Sequence, residues 1–177
     1  MIIVAFIPTA AIGFGFDITV IGDFYSEMHL VGPCLIFTGI LVWLSKDYDG
    51  DIDIDDFPIK NTFLIGIFQG LAILPGISRS GITISTGLLL GMNAKDTARF
   101  SFLLAIPAIS GAGLITAIDM LDQPVLISFN IMFAALASSF VVGYLSLKWF
   151  LRILENGKLH FFGFYCIAIG LIILLGI

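Results

Sequence analysis

PGISRSG, Pro75 to Gly81, lies between two apolar arms, TFLIGIFQGLAIL (Thr62–Leu74) and ITISTGLLLGM (Ile82–Met92). The first arm has 13 residues, or about 20 Å of helix, and the second has 11, or about 17 Å. Neither alone crosses a hydrocarbon core of about 30 Å. The segment is therefore either one broken span or a re-entrant hairpin over residues 62–92. Charge placement separates the two. Folded back, the hairpin puts Lys46, Lys60, Lys95, Arg99, Lys148, Arg152 and Lys158 on one membrane face. The loops of the other face, Asp17–Glu27 and Asp119–Ser128, then hold no Lys or Arg. A spanning segment would divide the same charges five against two. Cytoplasmic loops favour Lys and Arg, so the hairpin is the better reading, with the basic face cytoplasmic and the C-terminus outside.

Composition supports a bilayer around these arms. The 177 residues are 59% hydrophobic and 12% charged, with mean hydropathy +1.10, against about a quarter charged in soluble domains. Four runs approach spanning length: Met28–Leu44, Phe100–Ile118, Phe129–Leu147 and Leu159–Ile177; Ile2–Phe16 is a shorter fifth that Pro8 should kink. None of the five contains Asp, Glu, Lys or Arg. We predict an all-α, polytopic membrane helical bundle with one re-entrant helix-loop-helix hairpin, forming a single integral membrane domain over 1–177. The N-terminus has no Lys or Arg before its apolar run, which argues against a secretory signal and for a membrane segment.

Several features carry plainer readings. The net charge of −5 comes mostly from one acidic stretch and argues against a nucleic-acid partner. That stretch, KDYDGDIDIDDFP (Lys46–Pro58), fails the EF-hand spacing: counted from Asp47, Gly50 is fourth and Pro58 twelfth. It reads as a solvated loop. Cys34 and Cys166 lie in apolar runs and read as small buried hydrophobes. His29 and His160 sit at helix ends and read as interfacial. Gly66/Gly70 and Gly87/Gly91 stand four apart, a spacing that permits close helix approach, although a chain with 19 glycines produces such pairs by chance.

The chemistry concentrates in the seven residues. Pro75-Gly76 ends the first arm, and Gly81 lets the chain turn before the second begins. The free N–H groups and positive dipole end of that second arm favour phosphate oxygens. Ser78 and Ser80 add hydroxyls, and Arg79 adds a planar fork of donors. Arg79 is the sole charged residue between Lys60 and Lys95, and an arginine in the membrane marks a functional site with a partner. No Asp or Glu stands in an apolar segment, so that partner is a bound anion or a carboxylate from elsewhere. Snorkelling to the interface is the plainer alternative. Either serine can attack phosphorus or hydrogen-bond it while water attacks; no base in the membrane segments chooses between them.

The run QGLAILPGISRSGITISTGLLLGMNAKDTARFSFLLAIPAISGAG closely resembles the second half of the undecaprenyl-diphosphate phosphatase family, also called bacitracin-resistance proteins. The matching motifs are P-G-x-S-R-S-G at Pro75–Gly81 and F-S-F-L-L-A-I-P at Phe100–Pro107, with weaker similarity through the Pro8 segment and FYCIAIG. The resemblance implies a hydrolase in the plasma (inner) membrane, acting at the outer face. It removes the terminal phosphate of a C55 polyprenyl diphosphate and returns the monophosphate carrier to cell-wall assembly. It further implies a fold of two inverted repeats, each with a re-entrant hairpin, and a divalent metal, Mg or Ca. By that pattern Arg79 binds the diphosphate with Ser78 and Ser80 beside it, and Gly76, Gly81 and Gln69 complete the substrate-binding set. Partners are then the lipid substrate and the bilayer, with a homo-oligomer left open. The acidic motif E-G-x-x-E-F-x-P-x-S-S-x-G-H of the family's first repeat is absent; Gln69 and Ile73 stand where its glutamates, the expected metal ligands, would be. Tyr165 is followed by Cys166 where the family commonly has Tyr-Arg. We therefore expect this chain to lack the family's N-terminal third and to contain no metal ligands of its own. Two other readings stand beside the enzyme: a lipid-carrier transporter (flippase), since broken helices with a midplane anion site suit transport, and an inactive truncated remnant.

Overall fold

The computed structural model describes residues 1–15, 28–48, 50–122, 128–155 and 159–176. The Asp17–Glu27 loop, residues 123–127, Lys158 and the His29 side chain, all used in reading the sequence, lie outside the described set. Seven helices make up the described chain: α1 (Ile2–Gly15), α2 (Met28–Leu44), α3 (Ile59–Leu71), α4 (Arg79–Leu89), α5 (Ala94–Asp122), α6 (Phe129–Glu155) and α7 (His160–Leu174). Two are long and apolar enough to cross a bilayer, over Ala94–Ile118 and Phe129–Leu154. The arms flanking PGISRSG are shifted from expectation. The first helix ends at Leu71, and the second begins at Arg79, so Arg79, Ser80 and Gly81 belong to a helix rather than to a turn.

Contacts between helices fix their relative directions. Gly39 and Gly32 on α2 meet Gly163 and Gly170 on α7, each so close that an added Cβ would lie 2.7–2.9 Å from the partner carbonyl oxygen. Rising numbers on one helix meet falling numbers on the other, so the pair is antiparallel. On α1 and α3 the order is the same on both. Met1 lies by Thr62, Ala5 by Gly66 and Ile12 by Gly70. These helices are parallel, and Thr9 Oγ1 donates to Gly66 O at 2.8 Å across the contact. Helix α4 runs parallel to α2, through Thr38 with Ser78 and Ser45 with Ser85. It runs antiparallel to α5, through Thr83 with Ser101 and Gly87 with Thr97.

The segments beyond the two arms are tied to each other. Ile52 N–H donates to Gly91 O and Asn93 N–H to Ile52 O, both at 3.1 Å, forming an isolated parallel bridge between Ile52 and Met92. Phe57, just before α3, shares an apolar cluster with Met92, just after α4, together with Ala5, Ile65, Phe100 and Leu104. Helices α3 and α4 therefore double back on one another. The reading of Lys46–Pro58 as a simple solvated loop is corrected here. Ile52, Ile54 and Phe57 face the apolar cluster, while Asp51, Asp53 and Asp55 remain outside. Asp96 fastens the strap by accepting from Ile54 N–H at 3.0 Å.

Helix α4 is the centre of the bundle. Residues 81–88 are all buried, and Ile84 and Leu88 join Val42, Ala98, Leu154 and Leu159 in a second apolar cluster. Cys166 is buried and Cys34 partly so, and both are free thiols. Helix α6 shows the opposite pattern: Leu136 is 69% exposed and Phe140 is 73% exposed. An apolar face of that size is suited to lipid and not to water.

The α2–α7 contact tolerates no side chain. Valine at Gly39 would drive atoms to within about 3 Å of Ile167 and of the Gly163 carbonyl. We expect Gly39→Val to cost about 2 kcal/mol or more, read as a lower thermal unfolding midpoint in detergent. Gly143→Ala, where an added Cβ meets nothing within 4 Å, should leave the midpoint unchanged or raise it.

Candidate functional site

Residues 72–78 leave the helix with most of their backbone N–H groups paired. Ala72 N–H donates to Gln69 O, Ile73 N–H to Gly70 O, Leu74 N–H to Leu71 O and Ile77 N–H to Leu74 O, at 3.0–3.3 Å. The turn itself falls on Gly76, at φ +94°. A side chain there would be strained and would also strike Val31 O of α2 at 2.5 Å. The turning role expected of Gly81 thus belongs to Gly76. Gly81 is helical, and its missing side chain makes room for Ser78 and Thr38, whose atoms would stand 3.0–3.1 Å from an added Cβ.

Ser78 is the N-cap of α4, at φ −75°, ψ 111°, and its Oγ accepts from Gly81 N–H at 3.2 Å. Its own N–H donates to Thr38 Oγ1 at 3.2 Å, so α2 holds the cap from the other side. Arg79 is the first residue of α4 and is half-buried. Among the described residues its guanidinium has no ion pair and no hydrogen bond, and the backbone N–H groups of Arg79 and Ser80 have no partner either. Ser80 follows in the first turn. Its hydroxyl makes no described hydrogen bond, and it lines a cavity of about 280 Å³ with Phe102, Gly143, Ser146, Leu147 and Phe150. Gln69, on α3, is 3% exposed, and both ends of its amide lack a hydrogen-bond partner among the described residues. A buried amide left unpaired costs about 1–3 kcal/mol, so Gln69 is a polar point held at a cost to stability.

The structure thus brings Gly76, Ser78, Arg79, Ser80 and Gly81 together around one helix N-terminus, with Gln69 on the preceding arm. The sequence reading missed Thr38, whose hydroxyl orients the cap. It also missed the hydroxyl seam that fixes α4, in which Thr83 and Ser101 meet at 2.5 Å and Ser45 donates to Ser85 at 3.1 Å. The spacing of hydroxyls along RSGITIST was the available signal, since buried hydroxyls need partners. No hydrogen bond joins Ser78 or Ser80 to an imidazole or carboxylate among the described residues. No three His, Cys, Asp or Glu come together there, so these residues do not fit a divalent metal. What the arrangement offers is anion binding: two free N–H groups at a helix start, an unpaired guanidinium and a free hydroxyl.

The sequence has counterparts among known proteins. A family model, bacitracin resistance protein BacA, matches residues 1–172. The chain belongs to this family. An undecaprenyl-diphosphatase of Desulfosudis oleivorans is 42% identical over 171 residues, covering 96% of this chain and 62% of that protein. Undecaprenyl-diphosphatase 1 of Bacillus cereus is 35% identical over 175 residues, covering 98% and 64%. An undecaprenyl-diphosphatase of Methanosphaera stadtmanae is 39% identical over 173 residues, covering 97% and 62%. The chain therefore spans less than two thirds of the length of these BacA relatives.

The cap at Ser78 is a stability element as well as part of the site. Ser78→Ala should cost about 1 kcal/mol, while Ser78→Asn, which keeps a capping oxygen, should cost much less. Thermal unfolding of the two variants beside the parent protein checks this.

Proposed function

We propose that the chain is the anion-binding part of a polyprenyl-diphosphate phosphatase, releasing phosphate from undecaprenyl diphosphate and leaving the monophosphate lipid carrier. The observation that carries the reading is Arg79: a half-buried guanidinium without a described partner, at the start of a buried helix whose first two N–H groups have no described partner. Two adjacent phosphate groups match that donor set, because the helix N–H groups and the guanidinium fork can each take oxygens. The names of the BacA relatives supply the substrate class. Ser80 is the better placed of the two serines to meet phosphate, since the Ser78 oxygen already accepts from Gly81 N–H. The described residues do not fit Mg or Ca, and a metal's part in the reaction would rest on ligands beyond them.

The membrane disposition is part of the proposal. Helices α3 and α4 form a re-entrant hairpin in a multi-pass protein of the plasma membrane, within a fold of two inverted repeats, and the phosphate site opens to the outer face. Three features support this: the antiparallel arms, the bridge between Ile52 and Met92 at their open ends, and arms of 13 and 11 residues, too short to span. Lys46, Lys60 and Lys95 lie near those open ends, which the preference of basic residues for the cytoplasm assigns to the inside. A lipid-carrier transporter is the second reading, favoured by the helix break beside a buried anion site.

Arg79→Ala should lower phosphate release from C55 diphosphate by roughly 10²–10³-fold, the usual loss for one preorganised charge-stabilising donor; Arg79→Lys should fall between, lacking the fork. Equal release by Arg79→Ala and the parent would remove Arg79 from the mechanism, and carrier movement across proteoliposomes without hydrolysis would favour transport. Gln69→Leu separates a binding role from a packing one. It should raise the unfolding midpoint, because an unpaired buried amide is removed, while lowering kcat/KM; a rise in stability with unchanged kcat/KM would assign Gln69 to packing alone.

A further inference from the structure

The cavity beside Ser80 has walls unlike those of the phosphate site it adjoins. Ser80 belongs to both: it stands in the first turn of α4 next to Arg79, and it lines the cavity. The remaining lining comes from α5 and α6, as Phe102, Leu147 and Phe150 with Ser146 and Gly143. Phe102 and Phe150 meet edge to face, with ring centroids 5.9 Å apart and planes at 90°. One ring therefore presents its edge and the other its face. Farther along α5 the side chains turn outward, Ile106 at 58% and Ile109 at 61% exposure. The cavity is open rather than enclosed, and its α6 lining residues Gly143, Ser146 and Leu147 are themselves exposed on the surface suited to lipid.

We infer that this cavity is the subsite for the isoprene units nearest the pyrophosphate. The inference rests on the polyprenyl-diphosphate reading above for the identity of the head group. Continuity commits the cavity to that occupant: an anion held by Arg79 and the free N–H groups has its ester oxygen beside Ser80, and the apolar room begins there. Flat, methyl-branched alkene units suit a wall of aromatic edge and face better than a flexible saturated acyl chain does, because ring contacts favour planar, polarisable partners. Gly143 keeps the α6 side of the room open. An added Cβ at Gly143 meets nothing within 4 Å, so a larger side chain there fills space without striking the fold. The subsite thereby selects the lipid by the chemistry of its first units, separately from the grip on phosphate.

The test uses the purified protein and a photoreactive polyprenyl monophosphate with a diazirine on its first isoprene unit. Labelled positions are read by peptide mass spectrometry. The expected label falls on α5 and α6 near Phe102 and Phe150, and unlabelled polyprenyl monophosphate displaces it while phosphatidylglycerol does not. Gly143→Phe should lower labelling by at least about tenfold, as expected for a filled apolar subsite, and Gly143→Ala should retain it. Ser146→Leu, from an exposed position on the same wall, repeats the blockade should Gly143→Phe fail to fold. Label on other helices, equal displacement by phosphatidylglycerol, or full labelling of both blocked variants overturns the subsite. Labelling needs no turnover. A protein that labels as expected yet releases no phosphate from C55 diphosphate sinks the phosphatase reading and leaves the isoprene subsite standing.

Discussion

Lipid cannot hydrogen-bond a peptide group, so a chain that stops being helical at membrane depth must find every partner within protein. Residues 72–78, which leave the helix between α3 and α4, find most of their partners locally. Their short-range bonds turn the chain in tightened steps, and Thr38 of α2 takes the Ser78 N–H, while the Gly76 N–H has no partner among the described residues. Gly76 completes the turn in the left-handed region, pressed against the backbone of α2. The break therefore exists only because α2 stands behind it. Helix α2 in turn is placed by its glycine contacts with α7, where any side chain would separate the two backbones. A packing contact on one edge of the bundle thus reaches the candidate site through two steps, each with a named atom.

The same logic explains why α4 is so polar for a buried helix. Its hydroxyls at Thr83 and Ser85 reach α5 and α2 respectively, and Gly87 lets Thr97 of α5 close in. With no water for their apolar side chains to escape from, helices in lipid associate through close packing and such polar contacts. Ladders on opposite sides hold α4 by direction as well as position, and so aim its N-terminus.

Much of this was legible in the sequence, and the gaps have physical causes. The all-helical bundle followed from run lengths and the absence of charge within them. The Gly66/Gly70 pair was readable as a contact surface, and it does receive α1. Gly32/Gly39 and Gly163/Gly170 are spaced by seven, two turns rather than one, and a search for spacing of four passes over them. The arm boundaries were misplaced by three residues because Pro75-Gly76 reads as the stop signal, whereas the tightened turns already begin at Ala72. Ser78 as a capping residue was the signal that Arg79 opens a helix. In the acidic loop the alternation D-I-D-I-D-D-F is a strand-like pattern, and Ile52 accordingly makes the bridge; counting charges concealed it. Nothing in one sequence shows that both ends of the Gln69 amide lack a partner among the described residues.

The placement of charge is the strongest argument that the site is built for an anion. A helix start already carries positive potential, so a cation there is unfavourable by a few tenths to about 1 kcal/mol, and burial of the guanidinium adds to that. A fold selected for stability alone would put Arg79 at the other end of α4, or pair it. The carboxylates needed for pairing are abundant, but the strap that bears them is fastened beyond the C-terminal end of α4 through Ile52, Gly91 and Asn93. Eleven residues of helix, about 17 Å, separate the two. That distance exceeds the screening length of about 8–10 Å at physiological salt, so the acids of this strap do little to neutralise Arg79 through water. The chain thus holds its acidic strap apart from Arg79, and among the described residues nothing neutralises that guanidinium.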